Sequence, residues 1–437
     1  MKRLFSLILI ILILTSTVAC GNTNDTSLDG ESSSDNTESA EPEATESESE
    51  QPNANTYDGV FQTGFSRVAI TPSVPIGDFT KVENDIYATC MAVYDGARRL
   101  MFVSVDMEYI SEGACNDIKE QITQATSVPW NNIFISATHN HSGPSFGWNY
   151  DWSVSSYDKI ADAAMYAVAD LSDTELFIGT GKTTGMAFVR RYVDAYGNYA
   201  SVTPSRADGA SLDSSTIRSV SEADDTLQVI RFVRKEKKDI VAMNWQAHLA
   251  HALDAKPAYI SSDMAHYIRN DIESGDDDAL VIYFAGASGN INLNAPHYSQ
   301  KKYRNYVAVA QALAKVTLEV IKDENLTRVE AGKISIKNNT YREAYRNIPI
   351  SAISFGDLAF VTAPYEMFDN NGMQIKEGSP FKMTFVLTNS GGALGYIPSF
   401  EACTQYGGYE VDASSFGVGV AENLVAEYLR MLKAIKR

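Results

Sequence analysis

Two of the six histidines in this chain stand two residues apart. They are His139 and His141, where the apolar run Ile133-Phe134-Ile135-Ser136-Ala137 gives way to Gly143-Pro144. Residues i and i+2 of a strand share a face, so this spacing predicts two imidazoles projecting together at a strand end. Such a pair suits a metal or proton-transfer site. His248 closes a second apolar segment, Ile240 to Ala247. Spacing alone leaves two readings open: a metal site, which needs three or four N, O or S ligands, or histidines that merely hydrogen-bond carbonyls beside a turn. It equally admits His141 as a ligand and, were the segment after His248 helical, His251. His266 and His297 are read as structural.

Periodicity supplies the elements that must position these side chains. Alternating or wholly apolar runs predict strands at Phe65 to Ile70, Ile86 to Tyr94, Leu100 to Val105, Ile133 to Ala137, Leu176 to Gly179, Leu227 to Val233, Ile240 to Trp245, Leu280 to Phe284 and Met383 to Leu387. Apolar residues at spacings of three and four predict helices at Glu112 to Ala125, Tyr157 to Leu171, Met264 to Ser274, Tyr303 to Ile321 and Val420 to Lys433. The expected fold class is α/β, with mixed β-sheets flanked by helices in one large domain spanning 59–437.

Residues 1–20 read as a lipoprotein signal peptide: Lys2 and Arg3 precede the apolar run Leu4 to Leu14, and Thr17-Val18-Ala19-Cys20 resembles a bacterial lipobox. Cleavage before Cys20 and lipidation there predict an extracytoplasmic protein anchored to the cell membrane. The stretch 21–58 is rich in Ser, Glu, Asn and Thr, with ten acidic and no basic side chains between 21 and 56. It is expected to be a disordered tether. The formal net charge of −19 argues against a nucleic-acid partner, since phosphate binding requires a basic surface. Cys90, Cys115 and Cys403 show no paired spacing, and buried thiols are the expected reading.

The string Ser136-Ala137-Thr138-His139-Asn140-His141-Ser142-Gly143-Pro144 resembles the HTHSGP signature of the neutral (non-lysosomal) ceramidase family, whose catalytic domain is a zinc-dependent amidase. Further matches follow in that family's order. Phe65-Ser66-Arg67-Val68-Ala69-Ile70-Thr71-Pro72 looks like the opening strand, Val103-Ser104-Val105-Asp106 like the second strand end, and Phe188-Val189-Arg190-Arg191-Tyr192 like the arginine-bearing pocket segment. Ile260-Ser261-Ser262-Asp263, Ala363-Pro364-Tyr365-Glu366 and Gly395-Tyr396-Ile397 resemble later motifs. The resemblance implies one zinc ion held by His139, His248, Glu366 and Tyr396, with Leu249 and Tyr365 standing where the family carries proline and glycine.

The same resemblance gives catalytic roles to Arg190, or its neighbour Arg191, and to His141 beside the metal. Asp106 and Asp263 are strand-end carboxylates that would orient ligands. Gly289-Asn290-Ile291-Asn292 aligns with a GDVSPN segment, placing Asn292 where the family has a serine at the reaction centre; Ser288 is out of register and is read as packing a turn. The chain ends soon after its last helix, so the β-sandwich domain of some family members is expected to be absent. The resulting expectation is a zinc-dependent hydrolase cleaving an amide bond with metal-activated water, on a small-molecule or lipid substrate such as an N-acyl lipid. A solute-binding lipoprotein and a catalytically degenerate metal-binding relative are the alternatives.

Overall fold

The computed structural model describes residues 59–206, 209–249, 258–276, 278–293, 303, 305–344 and 346–436. Cys20, the leader, the whole tether, His251 and His297 lie outside the described residues. Among the described residues, no helix is long and apolar enough to cross a membrane.

Nine strands form the largest sheet, and it is two half-sheets joined by a narrow seam. One half runs Gln62–Ala69, Tyr87–Tyr94, Arg99–Val105 and Ile133–Ala137; the other runs Ser172–Lys182, Thr226–Arg234, Asp239–Trp245 and Ala279–Ala285, with Thr327–Val329 on Ser172–Lys182. Among the described residues, the two halves pair as strands only at Gln62 and Thr63, opposite Asp173 and Ser172. A second sheet orders Ile334–Glu343, Arg346–Phe355, Leu358–Thr362 and Met383–Leu387. Each of these three units ends in a single parallel pair: Arg99–Val105 with Ile133–Ala137, Asp239–Trp245 with Ala279–Ala285, and Leu358–Thr362 with Met383–Leu387.

Strands of the parallel pairs are buried on both faces, as a parallel sheet covered on both sides requires. Ile133–Ala137, Asp239–Trp245 and Met383–Leu387 contain no exposed residue. Their inner faces meet in a phenylalanine cluster that includes Phe102, Phe134, Phe284, Phe360 and Phe385. Helix pairs cover the outer faces: Glu112–Thr126 and Tyr150–Ala169 on the first half-sheet, Met264–Gly275 and Tyr306–Val320 on the second, Asp369–Gly378 and Val420–Ile435 on the third unit. Side-chain caps start three of these helices: Ser111, Asn149 and Asn305 each accept from a backbone N–H three residues on.

The parallel pairs are stitched together at their C-terminal ends. Ala137 donates to the Asn389 carbonyl at 3.0 Å, Thr388 to Ala285 at 3.0 Å, Gly286 to Trp245 at 2.8 Å, and Ser390 to Ala363 at 3.0 Å. Ligand sites of open α/β sheets gather at such carboxyl ends. The α/β class with mixed sheets expected from the sequence is the one observed. The sequence reading lacked the hairpin Ile334–Glu343/Arg346–Phe355, the strand Leu358–Thr362 and the helix Asp369–Gly378, and it began the second helix at Tyr157 rather than Tyr150.

Candidate functional site

Each of the three parallel units delivers residues to one cluster. Ile133–Ala137 leads to His139 and His141, Asp239–Trp245 to His248, and Leu358–Thr362 to Glu366. Tyr396 pairs with Glu366 in a short parallel ladder, Glu366–Met367 against Tyr396–Ile397. Glu366 Oε2 lies 3.3 Å from His139 Nε2 and 3.4 Å from His248 Nε2, yet neither contact forms a hydrogen bond. One ligand atom from each of His139, His141 and His248 also falls within 4.8 Å of the others.

The histidine pair converges for a reason other than strand alternation. The strand stops at Ala137, and His139 adopts φ of +64°, a left-handed conformation costly for a side chain with a Cβ. This turn directs the ring inward. Its Nδ1 lies 2.7 Å from the Glu108 carbonyl, which assigns a proton to Nδ1 and makes Nε2 the nitrogen that faces Glu366. His141 Nδ1 lies 3.7 Å from the Glu108 carboxylate. The intervening Asn140 points elsewhere, donating to the Ser261 carbonyl at 2.7 Å.

Asp263 holds the loop rather than a ring. Its carboxylate accepts from the His141 backbone at 3.0 Å and from Ser142 Oγ at 2.6 Å, while its own φ is +48°. Although it precedes helix Met264–Gly275, it does not cap that helix. Local capping is given up for the loop. Asp106 does not orient a ligand: it forms a buried two-bond pair with Arg269, at 2.9 and 2.6 Å, and accepts from the Tyr87 backbone. His266 is 3.0 Å from the Asn270 amide, one helical turn away, consistent with a structural role.

The two departures Leu249 and Tyr365 face the core. Leu249 is fully buried against the second half-sheet's helices, and Tyr365 Oη meets Tyr428 Oη at 3.3 Å on helix Val420–Ile435. Cys90 and Cys115 are buried free thiols, whereas Cys403 is only half-buried.

Arg190 borders the cluster. Its Nη2 donates to Tyr396 Oη at 3.1 Å and to the Gly289 carbonyl at 3.0 Å. Gly289 is required there, because a Cβ would sit 2.8 Å from the Glu366 carbonyl oxygen. Asn290 and Asp369 lock the same segment through two reciprocal bonds of 2.7 and 2.9 Å. Asn292 is buried in a two-residue ladder opposite Phe188, two residues before Arg190. Ser288 is buried and closes a turn with its carbonyl, 2.9 Å from the Ile291 N–H.

Electrostatics follow from burial and from this crowding of charge. Burial pushes the His248 imidazole down to about 4, helped by Arg190 and His139, and pushes His141 down to about 2, helped by its two neighbouring histidines. For His139, burial acts downward too, but the Glu366 carboxylate and Glu108 carbonyl outweigh it and raise the pKa. Burial would raise Glu366, yet the histidines hold it well below the ordinary carboxylate range. The Tyr396 phenol is raised by burial and by Glu366, against the pull of Arg190.

The donor set fits a divalent ion. His139 Nε2, His141 Nε2, both ring nitrogens of His248, and Glu366 Oε2 are buried with no hydrogen-bond partner. Atoms about 2.0–2.1 Å from a tetrahedral zinc lie roughly 3.3–3.4 Å from one another. The contacts from Glu366 have that length. Glu108, Asn290 and Glu410, which bonds Arg190 and Arg191, were not found from the sequence. Glu108 shapes His139 through a backbone carbonyl, which carries no residue signature, and Glu410 is 220 residues from Arg190.

No protein-family model matches the sequence. Solved structures share the fold, two ceramidases among them. Neutral ceramidase from Pseudomonas aeruginosa aligns with a TM-score of 0.67 at 14% identity, covering 86% of this chain and 74% of that one. A ceramidase complexed with C2 aligns at 0.66 and 14%, covering 86% and 76%. At this identity the likeness establishes the fold.

Proposed function

We propose that this chain is a zinc-dependent hydrolase of amide bonds, with His139, His248, Glu366 and Tyr396 holding the metal and N-acyl compounds, lipids among them, as the substrate class. The observation that carries the proposal is the group of orphaned buried donors on His139, His248 and Glu366, in which the two contacts of Glu366 have the length that separates ligands of a tetrahedral zinc. A buried polar atom without a partner costs about 1–3 kcal/mol, so several in one place call for a ligand. The two ceramidase structures supply the reaction class. A solute-binding protein has no need of such a set.

A bound zinc ion would supply Lewis acidity, acidifying water and polarising the scissile carbonyl. The chain's own residues do the rest. Glu108 fixes the His139 tautomer. His141 is the most exposed of the three histidines, its side chain 23% accessible against 3% and 2%, and, held neutral by burial, it stands beside the metal site. Arg190 offers charge to the developing oxyanion. Asn292 has no hydroxyl to acylate, so water attacks directly and the Asn292 amide donates to the oxyanion. Such a donor is worth about 100-fold to 1000-fold in turnover. Lipidation at Cys20 would anchor the protein outside the cytoplasm.

A hydrolysis screen across N-acyl lipids, N-acyl amino acids and peptides, with and without chelator, tests the proposal. Chelator-sensitive release of a fatty acid or other carboxylic acid is expected, with Asn292→Ala losing turnover and Ser288→Ala nearly unaffected. A metal-loaded protein inactive on every class would indicate a degenerate relative. An acyl adduct trapped on any side chain would refute direct attack by water.

A further inference from the structure

Arg190 and Arg191 are consecutive, and both side chains are almost fully buried. Glu410 lies between them with no exposed surface. Its Oε1 accepts from Arg190 Nε at 2.8 Å and its Oε2 from Arg191 Nη1 at 3.0 Å. One carboxylate is thus shared by two guanidiniums. Burying ions is expensive even when they are paired, so stability alone is a poor reason for this arrangement.

The two arginines use their remaining donors differently. Arg191 Nη2 donates to the Gly407 carbonyl at 2.7 Å, and its guanidinium lies over the Tyr199 and Phe368 rings at 5.3 and 5.5 Å. All of these contacts are structural. Arg190 instead meets Gly289 and Tyr396, both packed against Glu366. Among the described residues, Arg190 Nη1 has no hydrogen bond. Glu410 is itself presented by a short helix, Tyr409–Asp412, entered through Gly407 and Gly408 at φ of +64° and +93° and tied by Tyr409 N–H to Ser201 Oγ at 2.8 Å.

We propose that Glu410 is a positioning residue: with Arg191 as its counter-anchor, it fixes the Arg190 guanidinium plane against Tyr396, in the pose from which Arg190 serves the reacting carbonyl oxygen. A guanidinium held on its Nε edge and at Nη2 cannot rotate about its last bond. That is the preorganisation electrostatic stabilisation depends on. The inference rests on the hydrolase reading for its consequence, though not for the lock itself.

Two measurements on the full chain separate these parts. The first is NMR of protein labelled with 15N-arginine, with Arg190 assigned by loss of its signal in Arg190→Lys. Slow rotation should give resolved Nη–H resonances for Arg190, and Glu410→Gln should collapse them. Unchanged resonances in Glu410→Gln would overturn the lock. The second uses an N-acyl substrate found by the screen. Glu410→Gln should lower kcat about 10-fold to 100-fold, with KM within about threefold and zinc content unchanged. In the double variant Arg190→Ala/Glu410→Gln, turnover should fall no further than in Arg190→Ala alone, within about twofold. Losses that multiply would show that Glu410 acts independently of Arg190 and overturn the positioning role. If Glu410→Gln does not fold, Arg191→Lys releases one side of the carboxylate and should reproduce part of the kcat loss; full activity there would count against the counter-anchor. A protein without zinc or hydrolysis would defeat the hydrolase reading while the resonances still decide the lock.

Discussion

Two buried polar clusters lie side by side in this molecule, and they are finished to different degrees. In the Arg190–Arg191–Glu410 group both carboxylate oxygens of Glu410 have donors. In the His139–His248–Glu366 group, nitrogens and an oxygen come within 3.3 and 3.4 Å without a hydrogen bond. A carboxylate whose donors all come from the chain is scaffold for the arginines it holds. An unsaturated cluster, equally buried, is a receptor whose last partner comes from outside. His139 and Asp263, which shape the histidine loop, both have positive φ, +64° and +48°.

The comparison can be broken most forcefully at Glu410. Replacing it with alanine strands two buried guanidiniums, and such losses cost about 3–5 kcal/mol. Urea unfolding should show a midpoint far below the parent's, and a midpoint close to the parent's would mean the cluster is not the scaffold described. Next in size is the metal. At zinc concentrations near 100 times the dissociation constant, ligand linkage stabilises the folded state by about 2.7 kcal/mol. Thermal unfolding of the parent should therefore shift upward with zinc and fall back with chelator, while His248→Leu shows no zinc shift. The smallest effect is the most discriminating. In chelator, His248→Leu should match the parent within about 1 kcal/mol or exceed it, because the removed ring leaves no satisfied bond behind. A large loss in the metal-free state would show that the histidine cluster is scaffold after all.

Much of this arrangement was legible in the chain. The apolar runs before His139 and His248 marked two of the three parallel units, and the pairing of His139 with His141 was visible from their spacing. Its cause was not: the chain leaves the strand at Ala137, and a left-handed residue, not strand alternation, turns the His139 ring inward. Glu366 and Tyr396 stood out only through the motif resemblance, since alone they look like a surface carboxylate and a core ring. The helix Asp369–Gly378 escaped because Asn370, Asn371 and Gly372 are weak helix formers. Glu410 escaped because its meaning exists only once residues 220 apart in sequence are adjacent. Asp106 misled for the opposite reason: a strand-end carboxylate resembles a ligand orienter until Arg269 is seen to occupy both its oxygens.

Elemental analysis of protein purified without added metal tests the central claim most directly. The account predicts about one zinc per chain in the parent and a loss of most of it in His139→Ala, His248→Ala and Glu366→Gln. Variants that retain as much zinc as the parent, or a folded parent that binds none even when zinc is supplied, would contradict it.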